Sequence, residues 1–156
     1  MNNNIGEKMI DWTKDLYPIC RSLTGNGVRE TLDYIKKIHP DLSCKSVSTG
    51  QKFFDWTIPK EWNIKNAYIE HDSGQKFCDF KKNNLHVVGY SSPINKVLNL
   101  KELKNKIFTL KEMPNAIPYK TSYYKEDWGF CMSDKQKKQL PKGKYKVVID
   151  ATLSSG

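Results

Sequence analysis

The chain has 156 residues and is 38% apolar, with four Trp, eight Tyr and six Phe that give this fraction the bulk of a folded core, which argues against disorder. Its net charge is +9, but every basic residue except Arg21 and Arg29 is a lysine, whereas nucleic-acid readers favour arginine, so we expect no nucleic-acid partner. No stretch approaches the roughly 20 apolar residues of a membrane span, so we expect no membrane partner and a cytoplasmic location.

Two amphipathic helices are predicted at the start of the chain. The first ends near Tyr17, because Pro18 disfavours helical geometry in the residue before it. Asn26 is expected to cap the second helix, and Pro40 stops it. Their apolar faces have helical spacing and consist of Ile5, Met9, Trp12 and Leu16 in the first helix and Val28, Leu32, Ile35 and Ile38 in the second.

The middle of the chain changes to the period of a strand. Alternation predicts a strand over 42–47. Two further runs, 67–71 and 76–80, are separated by a polar turn that contains Gly74, and this pattern predicts a hairpin. Another strand is predicted over 85–90.

Capping residues predict two short helices in the second half. Asn99 precedes the first, over 100–106, and Ser133 precedes the second, over 134–140. The segment 113–119 contains two prolines and is predicted to be irregular.

Strands are predicted over 128–132 and, as the last element, over 145–151. The run Val147–Ile149 is continuously apolar, which is typical of a strand covered on both faces. Because no later helix follows to cover it, we expect this strand and the apolar faces of the first two helices to form an exposed patch through which the chain self-associates.

This order of elements indicates an α+β chain. Two helices, a strand, a β-rich aromatic middle and a final strand suggest that the middle is a small domain inserted between elements of a larger, incomplete α/β unit.

The joint between the first two helices, residues 17–27, contains the candidate binding residues Arg21, Ser22 and Thr24. Arg21 lies beside glycines, so its guanidinium could hold a carboxylate or phosphate, or could instead form a buried pair with a carboxylate of the fold. Ser22 and Thr24 are not in a G-x-S-x-G turn, and hydroxyls at such joints are more typical of helix caps than of nucleophiles.

A second candidate surface is the aromatic string 117–124 together with Trp128. Aromatic rings with polar tips, here Tyr123, Tyr124 and Trp128, are found where sugars or peptides stack and form hydrogen bonds. The alternative is an ordered loop that packs on its own domain.

No catalytic residue and no metal ligand is predicted in this chain. The cysteines and histidines are scattered without the spacing of a zinc site or a redox pair, and the cysteines are expected to be reduced. These residues are Cys20, Cys44, Cys78, Cys131, His39, His71 and His86.

Four strings resemble one family, the bacterial aminopeptidase-like proteins found among surface-polysaccharide biosynthesis genes. The resemblance runs from about Leu16 to the last strand. The strings are LYPICRSLTGNG (16–27), FDWTIPKEWNI (54–64), DFKKNNLHVVGYSSP (79–93) and IPYKTSYYKEDWGFC (117–131).

The resemblance implies a domain organisation. Residues 1–50 would be the first helices and strand of a zinc-exopeptidase-like domain, 51–141 an inserted β-rich domain of uncharacterised function, and 142–156 a strand returning to the first domain. The metal ligands and the acidic catalytic group of this family come later than residue 156, so none can be carried over. Zinc is expected for the full-length family and no cofactor for this chain.

Two functions follow from these observations. The first is the N-terminal part of an aminopeptidase-like zinc hydrolase, inactive alone, whose full-length form acts on a peptide-like or glycan-linked small substrate. The alternative is a non-enzymatic module that binds a glycan or peptide through the aromatic inserted domain.

Overall fold

The structure is a computed structural model that describes residues 4–156. These residues form two compact units. The first runs to Glu61 and includes Ser155–Gly156, and the second is Trp62–Ser154. The predicted domain boundaries after residues 50 and 141 stay a prediction.

The first unit begins with two helices, α1 (Ile5–Leu16) and α2 (Asn26–Ile38), which confirms both predictions. The cap of α2 differs from the expectation by one residue. Asn26 is already helical, and Gly25 takes the N-cap position with a φ of 93°, a conformation that glycine adopts without steric cost.

The rest of the first unit contains a short antiparallel hairpin, β1 (Lys52–Phe53) and β2 (Trp56–Thr57). The strand predicted over 42–47 is wrong, since this segment has no regular structure. Its side chains alternate, but no neighbouring strand pairs with it among the described residues, and unpaired backbone groups do not sustain a strand.

The second unit is built on a four-stranded sheet. Its elements in chain order are β3 (Glu61–His71), β4 (Lys76–Phe77), a 3-10 helix (Asn84–His86), β5 (Ile94–Asn99), α3 (Leu100–Lys104), β6 (Ile107–Phe108), β7 (Phe130–Cys131), α4 (Asp134–Lys138) and β8 (Lys144–Ser154). The strand order in the sheet is β4-β3-β8-β5, in which β3 and β4, and β5 and β8, pair antiparallel. A parallel pair, β6 and β7, lies outside this sheet.

The last strand, β8, buries alternate residues. Val147 and Ile149 are at most 1% exposed, whereas Val148 between them is half-buried. The expected exposed patch on this strand is therefore wrong, because Val147 and Ile149 lie on a buried face of the sheet. The predicted role of 142–156 as a strand of a peptidase-like domain stays a prediction.

The second unit agrees with the sequence at its hairpin and its short helices and differs from it in two strands. The hairpin around Gly74 is confirmed, as are both short helices, each held by a capping box from Asn99 or Ser133. The strand predicted over 85–90 is wrong, because its start forms the 3-10 helix and Tyr90 has a φ of 64°. The strand β5 was not predicted.

The two long helices of the first unit carry no buried residue. Ile5, Met9 and Ile10 of α1 are each more than half exposed. None of the described helices combines the length and the apolar character that crossing a bilayer requires. The expected cytoplasmic location and self-association stay predictions.

Candidate functional site

The joint between α1 and α2 is a close-packed turn. A Cβ atom on Gly27 would clash with the carbonyl oxygen of Cys20, so only glycine fits. Burial raises the pKa of the Cys20 thiol, which keeps it protonated. The backbone of the joint is held by the close approach of Gly27 to the Cys20 carbonyl group.

Arg21 binds the end of α1. Its Nη1 donates a hydrogen bond of 2.7 Å to the carbonyl oxygen of Leu16, the last residue of the helix. This carbonyl also accepts a hydrogen bond of 3.3 Å from the Ile19 amide, so Arg21 adds a second, cationic donor where the helix dipole is negative. The buried pair with a carboxylate is wrong, because Arg21 is exposed and belongs to none of the ion pairs among the described residues.

Ser22 and Thr24 are half-buried beside Arg21, and each already interacts with other groups of the fold. These three residues belong to the first unit, whereas the predicted aromatic residues belong to the second. Their grouping into one substrate cleft stays a prediction.

The predicted residues Tyr123 and Tyr124 lie at the outer end of a row of aromatic rings. The inner end is buried: Trp62 and Tyr90, each 5% exposed, stack with ring centroids 5.9 Å apart. Tyr123 meets Tyr90 edge-on at 5.1 Å, and Tyr124 meets Tyr123 edge-on at 6.4 Å. This geometry anchors a surface aromatic group to the core.

We call Tyr119, Tyr123 and Tyr124 the tyrosine cluster. The hydroxyl groups of Tyr119 and Tyr123 are 3.1 Å apart, and Tyr119 and Tyr124 are 70% and 86% exposed. The cluster thus offers ring surface together with hydroxyl groups. Its role in binding sugars or peptides stays a prediction.

Trp128 is held by a different set of contacts. The Lys106 ammonium lies 5.2 Å from the centroid of its ring and 2.6 Å from the Asp127 carboxylate. Hydrogen bonds from Lys106 and, less strongly, from the Trp128 amide hold the pKa of Asp127 below its usual value. Within residues 4–156 no ring contact joins Trp128 to the tyrosine cluster.

A polar pocket in the second unit was not predicted. Its volume is about 460 Å³, within the roughly 300–1,000 Å³ range of small-molecule sites. Three glutamines lie in its wall, and we call it the glutamine pocket. It is lined by Gln75, Lys76, Phe77, Cys78, Asp79, Lys82, His86, Met132, Gln136, Gln139 and Pro141.

The inner wall of the glutamine pocket is ordered by one carbonyl group. The carbonyl oxygen of Cys131 lies 2.8 Å from His86 Nδ1 and 3.6 Å from Cys78 Sγ. Because a carbonyl only accepts, Nδ1 carries a proton and donates it. Burial raises the pKa of the Cys78 thiol and that of the Cys131 thiol, the latter to about 11. Both thiols are therefore protonated at neutral pH and are poor nucleophiles.

Sequence reasoning missed this pocket because its residues are ordinary polar side chains from three separate segments, 75–82, His86 and 132–141. None has a recognisable motif. Only the tertiary fold brings them together.

The zinc expected for the full-length family has no fitting ligand set in this part of the chain. Among residues 4–156 no group of three or more His, Cys, Asp or Glu side chains could hold a metal ion. His71, which is buried, bonds Ser73 and lies 3.0 Å from the Asp72 carboxylate, and so serves the turn of the β3–β4 hairpin. No catalytic step through zinc can be derived from these residues.

Comparison with known proteins places the chain among its relatives. A protein of Clostridium acetobutylicum, provisionally named as a polysaccharide biosynthesis protein with an aminopeptidase-like domain, is 48% identical over 99% of this chain and 36% of its own length. A crystal structure from the same species, provisionally titled as a peptidase, matches with a TM-score of 0.93 and 49% identity over 97% of this chain and 36% of that chain.

The chain therefore spans about a third of the length of the curated relative it matches. The predicted resemblance to aminopeptidase-like proteins of polysaccharide biosynthesis is confirmed by these two matches. A family model described as Domain of unknown function (DUF2172) matches residues 61–152, more than half of the chain. The chain belongs to this DUF2172 family.

Proposed function

We propose that this chain is the N-terminal part of an aminopeptidase-like zinc hydrolase linked to polysaccharide biosynthesis. The observation that carries the proposal is the 48% identity, over nearly the whole chain, to a longer protein with that name. In the proposal, residues 1–50 and 142–156 belong to the peptidase-like domain, and 51–141 form the inserted domain.

The zinc ligands and the catalytic groups lie after residue 156 in this proposal. A zinc-bound water needs several protein ligands, and the described residues contain no suitable group. The apolar faces of α1 and α2, which carry no buried residue, support a place for these helices in a larger domain.

The helix joint has a supporting role in the proposal. Arg21, Ser22 and Thr24 would lie at the edge of the substrate cleft, and the inserted domain would help to shape it. The substrate would be a peptide-like or glycan-linked small molecule.

An activity comparison tests the proposal. The 156-residue chain and the longer protein that contains it are assayed against aminoacyl p-nitroanilides, with and without a zinc chelator. We expect chelator-sensitive hydrolysis from the longer protein and none from the 156-residue chain. Hydrolysis by the short chain, or no zinc-dependent hydrolysis by the longer one on a panel of aminoacyl groups, would overturn the proposal.

A second candidate function is recognition of a glycan or peptide without catalysis, which the exposed tyrosine cluster favours. Binding should change tryptophan fluorescence, and Tyr123→Ala should abolish the change, whereas Tyr17→Ala, which removes an exposed tyrosine of the first unit, should not. If sugars and peptides leave the fluorescence unchanged, this candidate is wrong.

A further inference from the structure

The glutamine pocket offers polar groups that the fold does not use. Among the described residues, the Lys82 ammonium and the side-chain amides of Gln75 and Gln139 make no hydrogen bond or ion pair. Gln136 uses its Oε1 to accept from Ser133, which leaves its NH₂ group. Four donor groups thus face or border one cavity.

Acceptors lie in the same wall. Asp79 Oδ1 accepts a hydrogen bond from the Lys81 amide, and its other carboxylate oxygen makes none in the described chain. Nε2 of His86 makes no hydrogen bond within residues 4–156, and in the tautomer whose Nδ1 donates to Cys131 it can accept one. A ligand that both donates and accepts at many points suits this mixture, and hydroxyl groups do both.

The charge of the lining decides between an anion and a neutral ligand. Lys76 lies 3.6 Å from Glu70, and Asp79 offsets Lys82, so the pocket has no net excess of positive charge. A cation finds only one carboxylate, fewer than a metal site needs. The balance favours a neutral ligand.

The volume of the pocket and the apolar part of its wall restrict the class of ligand further. A volume of about 460 Å³ corresponds to about 15 waters at about 30 Å³ each, which is room for a sugar of one or two rings. Phe77, which is half-buried, supplies an apolar surface against which the C–H face of a sugar ring can pack.

We propose that the glutamine pocket binds a neutral sugar of one or two rings through Gln75, Asp79, Lys82 and Gln139. The site shares no residue with the tyrosine cluster and needs neither zinc nor hydrolysis. Its success or failure is therefore independent of the proposed hydrolase function.

The test is a titration of the ¹⁵N-labelled 156-residue chain, followed by the NMR signals of the glutamine side-chain amides. The probes are methyl α-glucoside, methyl α-galactoside and N-acetylglucosamine. Each is added up to about 50 mM, because a dissociation constant in the millimolar range requires such concentrations for saturation. At least one probe should shift the Gln75 and Gln139 signals in a saturable manner.

Lys82→Ala and Gln139→Ala should each weaken binding about fivefold or more, which corresponds to the loss of about 1 kcal/mol. Both side chains are exposed, so the fold should survive their loss. Lys135→Ala, on the same helix as Gln136 but outside the pocket, should leave binding unchanged. The proposal is overturned if no probe shifts these signals, if the acyclic polyol sorbitol binds as well as the sugars, if phosphate binds more tightly, or if the two variants bind normally.

Discussion

Arg21 Nη1 donates a 2.7 Å hydrogen bond to the carbonyl oxygen of Leu16, five residues earlier at the end of α1. The guanidinium therefore links the joint to the end of the first helix. In the sequence, Arg21 is a candidate ligand-binding residue. In the structure, its guanidinium bonds the backbone of the fold.

Arg21→Ala should lower the free energy of unfolding by about 0.5–1.5 kcal/mol, because it removes one exposed hydrogen bond. Urea unfolding followed by far-UV circular dichroism measures the change. Lys37→Ala, an exposed lysine of α2, is the control and should have almost no effect. An Arg21→Ala protein as stable as the parent would show that the bond contributes nothing to stability.

Gly27→Ala should destabilise the chain by about 2 kcal/mol or more, by the strain that overpacking introduces. Gly27 lies within α2, where helix propensity alone would favour alanine by about 1 kcal/mol. The clash of the added Cβ atom with the Cys20 carbonyl oxygen outweighs this gain, so the net effect is destabilising.

Gly6→Ala in α1 is the matched helical control. Its Cβ would lie 3.3 Å from the Asn4 side chain, a contact that a small shift can relieve, so we expect no destabilisation beyond a few tenths of a kcal/mol. Equal effects of the two substitutions would contradict the close packing of the joint.

The sequence predicted those elements whose signals are local. The periodicity of α1 and α2 needs only neighbouring residues, and the caps Asn99 and Ser133 bind amides within three residues. These predictions did not depend on how distant segments pair.

The errors occurred where pairing decides the structure. The alternation over 42–47 finds no partner strand in the described chain, whereas the polar strand β5 is formed because it pairs with β8 along its full length. The glutamine pocket, assembled from separate segments, could not be predicted for the same reason.

The cysteines should differ in reactivity towards iodoacetamide at pH 8. Cys44 is exposed and should be modified first. Cys78 and Cys131 are buried with raised pKa values, so they carry little thiolate and should react only after a denaturant is added. Peptide mass spectrometry locates the label, and fast labelling of Cys78 in the native protein would contradict the buried pocket wall.

Asp134 should contribute a pH-dependent part of the stability. Its pKa is lowered, first by the hydrogen bond from Lys138 and then by that from Thr109, although burial opposes the shift. The contribution of the Asp134 carboxylate to the free energy of unfolding is therefore full above the ordinary Asp pKa of about 3.9. It is lost as the pH falls through the lower pKa that Asp134 has in the folded state.

Asp134→Asn removes this titration and should flatten the fall in unfolding free energy below about pH 4. Urea unfolding at a series of pH values between neutral and strongly acidic measures the slope. Asp150→Asn, at an exposed position of β8, should keep the parent slope. An unchanged slope in Asp134→Asn would show that the pair with Lys138 does not contribute.

The most direct test of the proposed function is a measurement of zinc content, because the proposal places the zinc ligands after residue 156. The 156-residue chain and the longer protein are purified without chelators, incubated with zinc, desalted and measured by inductively coupled plasma mass spectrometry. We expect stoichiometric zinc in the longer protein and only traces in the 156-residue chain, whose described residues offer no ligand group. Stoichiometric zinc in the short chain, or none in the longer protein, would contradict the proposal.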